Sequence, residues 1–240
     1  MKGKLNIKKI IIISIITILS LVVILLAALL LIKEKNDYYF EKCESFEVQN
    51  FNLSDGQIVF IGDSITDLYL LDDYYSDLDL ACYNRGISGD FTLGVLNRLE
   101  VSVFDLNPSV IVLMIGTNDI NGGRSVDALI NSYKMIIDKI YEKLPNVTLY
   151  CMSIIPQNKD LEEYTELNVD NNNTKVIEAN IEISKLCQEN NIAYLDIYSK
   201  LLDENNYLDK KYSDDGIHLN ANGFQVWTEL LKPYLLEEVL

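Results

Sequence analysis

Past residue 55 the chain alternates short apolar runs with longer amphipathic ones, and few architectures accept that order. Gln57–Ile61, Leu80–Tyr83, Val110–Ile115, Val147–Met152 and Ile192–Ile197 have the length and apolar content of buried strands. Apolar residues recur at helical spacing around Leu93–Phe104, Val126–Leu144, Val176–Asn190 and Phe224–Leu236. Strands separated by helices are the pattern of a parallel sheet covered on both faces. The expectation is one α/β domain over residues 56–240 with a parallel five-stranded sheet. Such sheets receive ligands at the carboxyl ends of their strands.

The N-terminal part obeys a different rule. Ile10–Ile32 is a run of 23 residues without a charge. At about 1.5 Å per residue it reaches about 35 Å, enough to cross a hydrocarbon core of about 30 Å with some tilt. Lys2, Lys4, Lys8 and Lys9 precede it, whereas Lys33 and Lys35 after it are offset by Glu34 and Asp37. The positive-inside rule then keeps the N-terminus cytoplasmic and exports the chain beyond Ile32. A cleaved signal peptide is the competing reading. Its apolar region is usually about 7–15 residues and ends in a small-x-small site, but Ala27-Ala28 here runs on into Leu29-Leu30-Leu31. Residues 1–36 are therefore read as a cytoplasmic stub and transmembrane signal anchor, and 37–55 as a linker. The expected location is the cell membrane, single-pass, with the body outside.

Charge divides at the same place. The chain carries −16, and residues 1–36 hold six Lys against one Glu, so the remainder carries −21. A body that acidic is unsuited to a nucleic-acid backbone. It is also a poor partner for anionic lipid head groups. Clusters such as Asp72-Asp73 and Asp77-Leu78-Asp79 read as solvated loop surface, because their spacing does not match a calcium loop. Cys43, Cys82, Cys151 and Cys187 show no paired spacing, and with one histidine in the chain there is no zinc set. No metal and no cofactor are expected.

That one histidine stands in Asp215-Gly216-Ile217-His218. Alone it would be read as a structural or surface residue, but three other polar motifs share its position in the strand pattern. Gly62-Asp63-Ser64 ends the first strand, Asn84-Arg85-Gly86-Ile87-Ser88-Gly89 the second, and Gly116-Thr117-Asn118-Asp119 the third. The Asp215–His218 segment comes after the fifth strand, just before the last helix. All four fall on one rim of the sheet, where chance would scatter them over both edges. A serine hydroxyl needs a base to become a nucleophile. His218 can serve Ser64, and Asp215 can hold the imidazole in the right tautomer and stabilise its charged form. The amides of Ser64, Gly86 and Asn118 can donate to a developing oxyanion.

These motifs resemble the SGNH (GDSL) hydrolases, whose blocks are Gly-Asp-Ser, a glycine after the second strand, Gly-x-Asn-Asp and Asp-x-x-His. All occur here in order across Ile61–Leu219. The resemblance implies a flavodoxin-like three-layer α/β/α sandwich, with Ser64 as nucleophile, Asp215 and His218 completing the triad, and Ser64, Gly86 and Asn118 as oxyanion donors. The segment Gly86–Leu99 is similar to the small-acyl branch, which includes carbohydrate acetylesterases and platelet-activating-factor acetylhydrolase-like enzymes. The expected activity is hydrolysis of short, mainly acetyl, esters on a glycan. Acyl transfer to a sugar hydroxyl, lysophospholipase action and silent glycan binding are the alternatives. No large apolar lid is evident, since Asp67–Tyr75 is acidic and tyrosine-rich and Gln157–Asn173 is polar. Those tyrosines either face a sugar or half-bury at the surface.

Overall fold

The computed structural model of the chain describes residues 7–161 and 167–237. Lys2 and Lys4 of the charge argument, and part of the polar stretch between Gln157 and Asn173, lie outside those residues. By internal packing the chain forms two units, residues 1–42 and Cys43–Leu240. The strands are β1 (Ile58–Gly62), β2 (Cys82–Gly86), β3 (Val110–Met114), β4 (Thr148–Met152) and β5 (Ala193–Leu195). The helices are α1 (Ile7–Asn50), α2 (Ser64–Asp67), α3 (Leu71–Tyr75), α4 (Thr92–Asn97), α5 (Leu99–Ser102), α6 (Thr117–Asn121), α7 (Val126–Lys143), α8 (Val169–Glu189) and α9 (Ala221–Glu237).

The sheet has the order β2-β1-β3-β4-β5, and every pairing is parallel. Strand side chains alternate between faces, and the sequence uses that alternation to make two cores. Val59, Ile61, Ile111, Leu113, Leu149 and Cys151 pack under α4, α5, α7 and α8. Ile58, Phe60, Val110, Val112, Met114, Tyr150 and Met152 face Leu71, Tyr75, Phe224, Trp227 and Leu231 of α3 and α9. This is the expected three-layer α/β/α sandwich. Each fully buried Ile, Leu or Phe in these cores contributes roughly 1.5–3 kcal/mol. A one-residue register slip would turn both sets toward the wrong layer.

Within the first unit, Lys9–Leu31 has a mean hydropathy of 3.3 and none of it is buried, so it is long and apolar enough to cross a membrane by length and composition. Signal sequences near an N-terminus share those two properties.

Three local expectations need correction. Residues 37–50, read as linker, are helical: no Gly or Pro interrupts the chain there, and α1 continues to Asn50. Its last turns belong to the body. Phe46 is buried against the Arg85 guanidinium, 4.6 Å from ring centroid to Cζ, and Gln49 and Asn50 accept hydrogen bonds from Arg85 at 3.0 and 2.8 Å. Next, β2 lies later than its apolar run suggested and extends through Asn84 and Arg85 to Gly86. Finally, the helix expected over Leu93–Phe104 breaks at Arg98, where φ is −109°. The break turns the Arg98 side chain into the interior, where it is almost fully buried.

Candidate active site

The strand order reverses between β1 and β3, and a parallel sheet opens a crevice at the carboxyl ends of strands that diverge in this way. Ser64 follows β1 and Asn118 follows β3, so both stand at the crevice. Ser64 opens the short helix α2, where a first-turn amide has no intrahelical acceptor. Asp63 caps that helix, its Oδ1 accepting from the Ile65 amide at 3.1 Å.

The Ser64 Oγ lies 2.8 Å from His218 Nε2, and His218 Nδ1 lies 2.6 Å from Asp215 Oδ2. The other oxygen of Asp215 accepts from the amides of Ile217 and His218, both at 2.8 Å, and from the Ser213 hydroxyl at 3.3 Å. Burial pushes the Asp215 carboxyl up, but the His218 ring and these amides outweigh it and hold the pKa down at about 2. The carboxylate is therefore ionised throughout the neutral range. With its charge beside Nδ1, the favoured neutral tautomer carries the proton on Nδ1 and presents a bare Nε2 to the serine.

The crevice holds a cavity of about 370 Å³. Leu68, Leu167 and Ile217 give it apolar walls, and Ser88, Asn118 and Asn121 give it polar ones. Asn118 turns its side chain inward. Its Nδ2 donates to the Asp90 carbonyl at 3.0 Å, which leaves the second hydrogen of that amide for the cavity.

Gly86 does not stand where the sequence suggested. It is buried as the last residue of β2, its amide donates to Asn84 Oδ1 at 2.8 Å, and a Cβ there would lie 2.1 Å from the Asp67 amide nitrogen. It is a packing glycine. The glycine on the cavity wall is Gly89, three residues on, with φ at +77°. Among the described residues neither the Gly89 nor the Ser64 amide has a protein acceptor. The structure thus brings Ser64, Asn118, Asp215 and His218 together, and Gly89 rather than Gly86 lines the cavity. The tyrosines also sit elsewhere. Tyr69 and Tyr75 are core residues, joined at 2.9 Å through their hydroxyls, and Tyr69 stacks on Phe224 at 4.5 Å. Neither lines the cavity.

Below the rim runs a buried polar layer that sequence reasoning missed. Arg98 donates to Asp90 Oδ2 at 2.8 Å, to the Arg85 carbonyl at 2.8 Å, to the Ser102 hydroxyl at 2.9 Å and to the Gly62 carbonyl at 2.9 Å. It thereby fixes the strand end that carries Asp63 and Ser64. Asp119 faces away from the cavity. It accepts from the Thr92 amide at 2.9 Å, the Thr92 hydroxyl at 2.7 Å and Arg124. Asn118 and Asp119 therefore divide their work between cavity and scaffold. Asp63 is buried with Oδ2 unpartnered, and burial, reinforced by Asp90, raises its pKa to about 7. Among the described residues no group of three or more His, Cys, Asp or Glu stands ready to hold a metal ion.

Comparison with known proteins agrees with this fold. The sequence model of the GDSL-like lipase/acylhydrolase family matches residues 60–226. A platelet-activating factor acetylhydrolase IB subunit beta homolog of Drosophila melanogaster is 29% identical over 119 residues, 48% of this chain and 51% of the relative. The chain thus spans about half the length of that curated relative. A solved structure from Streptococcus pneumonia, named for platelet activating factor, superposes with a TM-score of 0.81 at 28% identity over 88% of this chain and 98% of its own. A GDSL-like lipase from Bacteroides thetaiotaomicron gives 0.72 at 22% identity over 82% and 98%. An acetylxylan esterase from Geobacillus stearothermophilus gives 0.60 at 18% over 76% and 95%. The last two identities speak for the fold alone.

Proposed function

The chain belongs to the GDSL-like lipase/acylhydrolase family and is a hydrolase of ester bonds, and from that premise we propose a membrane-anchored, outward-facing serine esterase of short acyl groups. The observation that carries the mechanism is the continuous hydrogen-bonded line Ser64–His218–Asp215, at 2.8 and 2.6 Å. In this reading the Ser64 hydroxyl passes its proton to His218 Nε2 as Oγ attacks the acyl carbon. Asp215 stabilises the imidazolium that forms. The amides of Ser64 and Gly89 and the side chain of Asn118 receive the oxyanion, each donor accounting for roughly 3–4 kcal/mol of transition-state stabilisation. The imidazolium returns its proton to the departing alcohol. A water, deprotonated by the same imidazole, then releases the acid and regenerates Ser64.

Substrate and location rest on separate supports. A cavity of about 370 Å³ suits a short acyl group with part of its alcohol. The charge of −21 beyond residue 36 disfavours attack on anionic lipid surfaces. The apolar Lys9–Leu31 helix and the lysines before it support an anchor with the body outside, where acylated glycans are at hand. An acetyl ester of a glycan fits these constraints best.

Two experiments test the proposal. Residues 37–240 should label with a fluorophosphonate at Ser64 and hydrolyse acetyl esters faster than dodecanoyl esters. Ser64→Ala should abolish both labelling and turnover, and undiminished turnover in that variant would remove the mechanism. Protease added outside intact cells should digest the body and leave a short membrane fragment. A protected full-length chain would reverse the topology.

A further inference from the structure

Asn121 ends α6 and lines the cavity alongside Asn118. Its side-chain oxygen accepts two hydrogen bonds, from Gln157 Nε2 at 2.7 Å and from Asn172 Nδ2 at 2.9 Å. Two donors occupy the two lone pairs of an amide oxygen and decide which way the amide faces. Both donors are themselves held. Gln157 is fully buried, and its backbone is clamped by Asn173, which accepts from the Gln157 amide at 2.8 Å and donates to its carbonyl at 2.9 Å. Asn172 is buried on α8, one residue away. What Asn121 has left is an NH2 group with both hydrogens uncommitted, and among the described residues it has no protein acceptor.

We infer that Asn121 is a specificity-determining residue whose NH2 group donates to an acceptor oxygen on the alcohol half of the substrate, so that esters of polyols are preferred to esters of plain alcohols. The inference rests on the short-acyl esterase reading above. A short unsubstituted acyl group carries one good acceptor, the ester carbonyl, and the amides of Ser64 and Gly89 with Asn118 already address it. An acceptor for Asn121 must then come from the alcohol: a neighbouring hydroxyl or a ring oxygen. Without one, the bound ester dehydrates a fixed donor and gives it no partner, and sites built this way reject the deficient analogue strongly.

The test compares two acetyl esters of similar ring size, a mono-O-acetyl methyl pyranoside and cyclohexyl acetate, by kcat/KM. Wild type should prefer the pyranoside. Asn121→Leu and Asn121→Asp should each lower kcat/KM for the pyranoside roughly tenfold, mainly through KM, and change cyclohexyl acetate much less. The Asp variant keeps an oxygen for Gln157 and Asn172, so it carries the test if the Leu variant misfolds. The rate of Ser64 labelling by a small fluorophosphonate checks that the catalytic line is intact. A parallel fall on both esters, or a wild type indifferent between them, overturns the inference. Turnover of long-chain esters with none of either acetyl ester overturns the short-acyl reading and this inference with it. Turnover surviving in Ser64→Ala instead overturns the mechanism alone.

Discussion

Asp63 and Asp215 stand at two corners of one rim, the first just before Ser64 and the second three residues before His218, and the fold treats them in opposite ways. Residues 213–218 form a tight turn that surrounds Asp215 with two amides, a hydroxyl and an imidazole. Its pKa is held at about 2. Residues 62–66 enclose Asp63 with a single donor and an empty oxygen, and burial raises its pKa to about 7. Donors within reach keep a carboxylate charged, whereas burial without them favours the neutral acid. The same residue type thus serves as an electrostatic element at one corner and as a helix cap under tension at the other.

The largest effect should come from removing the charge of Asp215. Asp215→Asn should lower kcat about 10⁴-fold while the fold persists, because the amide cannot fix the histidine tautomer or stabilise its cation. A loss below tenfold would show that the turn only positions His218. Next in size is the layer beneath both corners. Arg98→Ala leaves Asp90 buried without its cation and the Gly62 carbonyl with the Ile87 amide as its remaining donor. It should cost roughly 3–5 kcal/mol, read from denaturant midpoints. A shift under about 1 kcal/mol would mean that water replaces the guanidinium.

The third prediction concerns pH. Because the folded pKa of Asp63, about 7, lies above its ordinary value of 3.8, its contribution is fully present below about pH 4 and is lost as pH rises toward 7. Asp63→Asn should flatten that part of the stability curve and stabilise the protein at neutral pH, by on the order of 4 kcal/mol at most. For Asp215 the sign is opposite, since its stabilisation is present at neutral pH and disappears only as pH falls toward about 2. Parallel curves for wild type and Asp63→Asn between pH 4 and 7 would erase the contrast between the corners. The smallest effect belongs to Ser213→Ala, which removes a 3.3 Å hydrogen bond to Asp215 and the acceptor for the Gly216 amide. It should cost about 1 kcal/mol and change kcat only a few-fold.

The composition of each element decided how legible it was in the sequence. β1, β3 and β4 are apolar on both faces, so their runs announced them, and the motifs after β1 and β3 fell where parallel topology puts a site. β2 is an edge strand whose last three residues, Asn84-Arg85-Gly86, carry no strand signal. That concealed its true end, and with it the difference between Gly86 inside the sheet and Gly89 at the cavity. Arg98 sits in a stretch with helical spacing, and nothing local says that its guanidinium turns inward to bind three backbone and side-chain oxygens and a carboxylate. Asn121, Gln157 and Asn172 were equally opaque. A buried amide network looks in sequence like any polar loop, because its partners come from segments far apart in the chain. The one available hint was the trio Asn172, Asn173 and Asn180 on an otherwise apolar helix stripe.

The seat of Arg85 sets where a cut in the chain leaves the body whole. Among the described residues its guanidinium has no carboxylate partner. Burial lowers its pKa to about 10, and its hydrogen bonds go to Gln49, Asn50 and the Asn84 carbonyl, with Phe46 over its face. A protease cutting before Cys43 leaves a body that keeps all of these. One cutting after Asn50 strips the cation of its cover and leaves it to find water inside the domain. Cuts that yield a stable fragment should therefore fall before Cys43, and cuts after Asn50 should not.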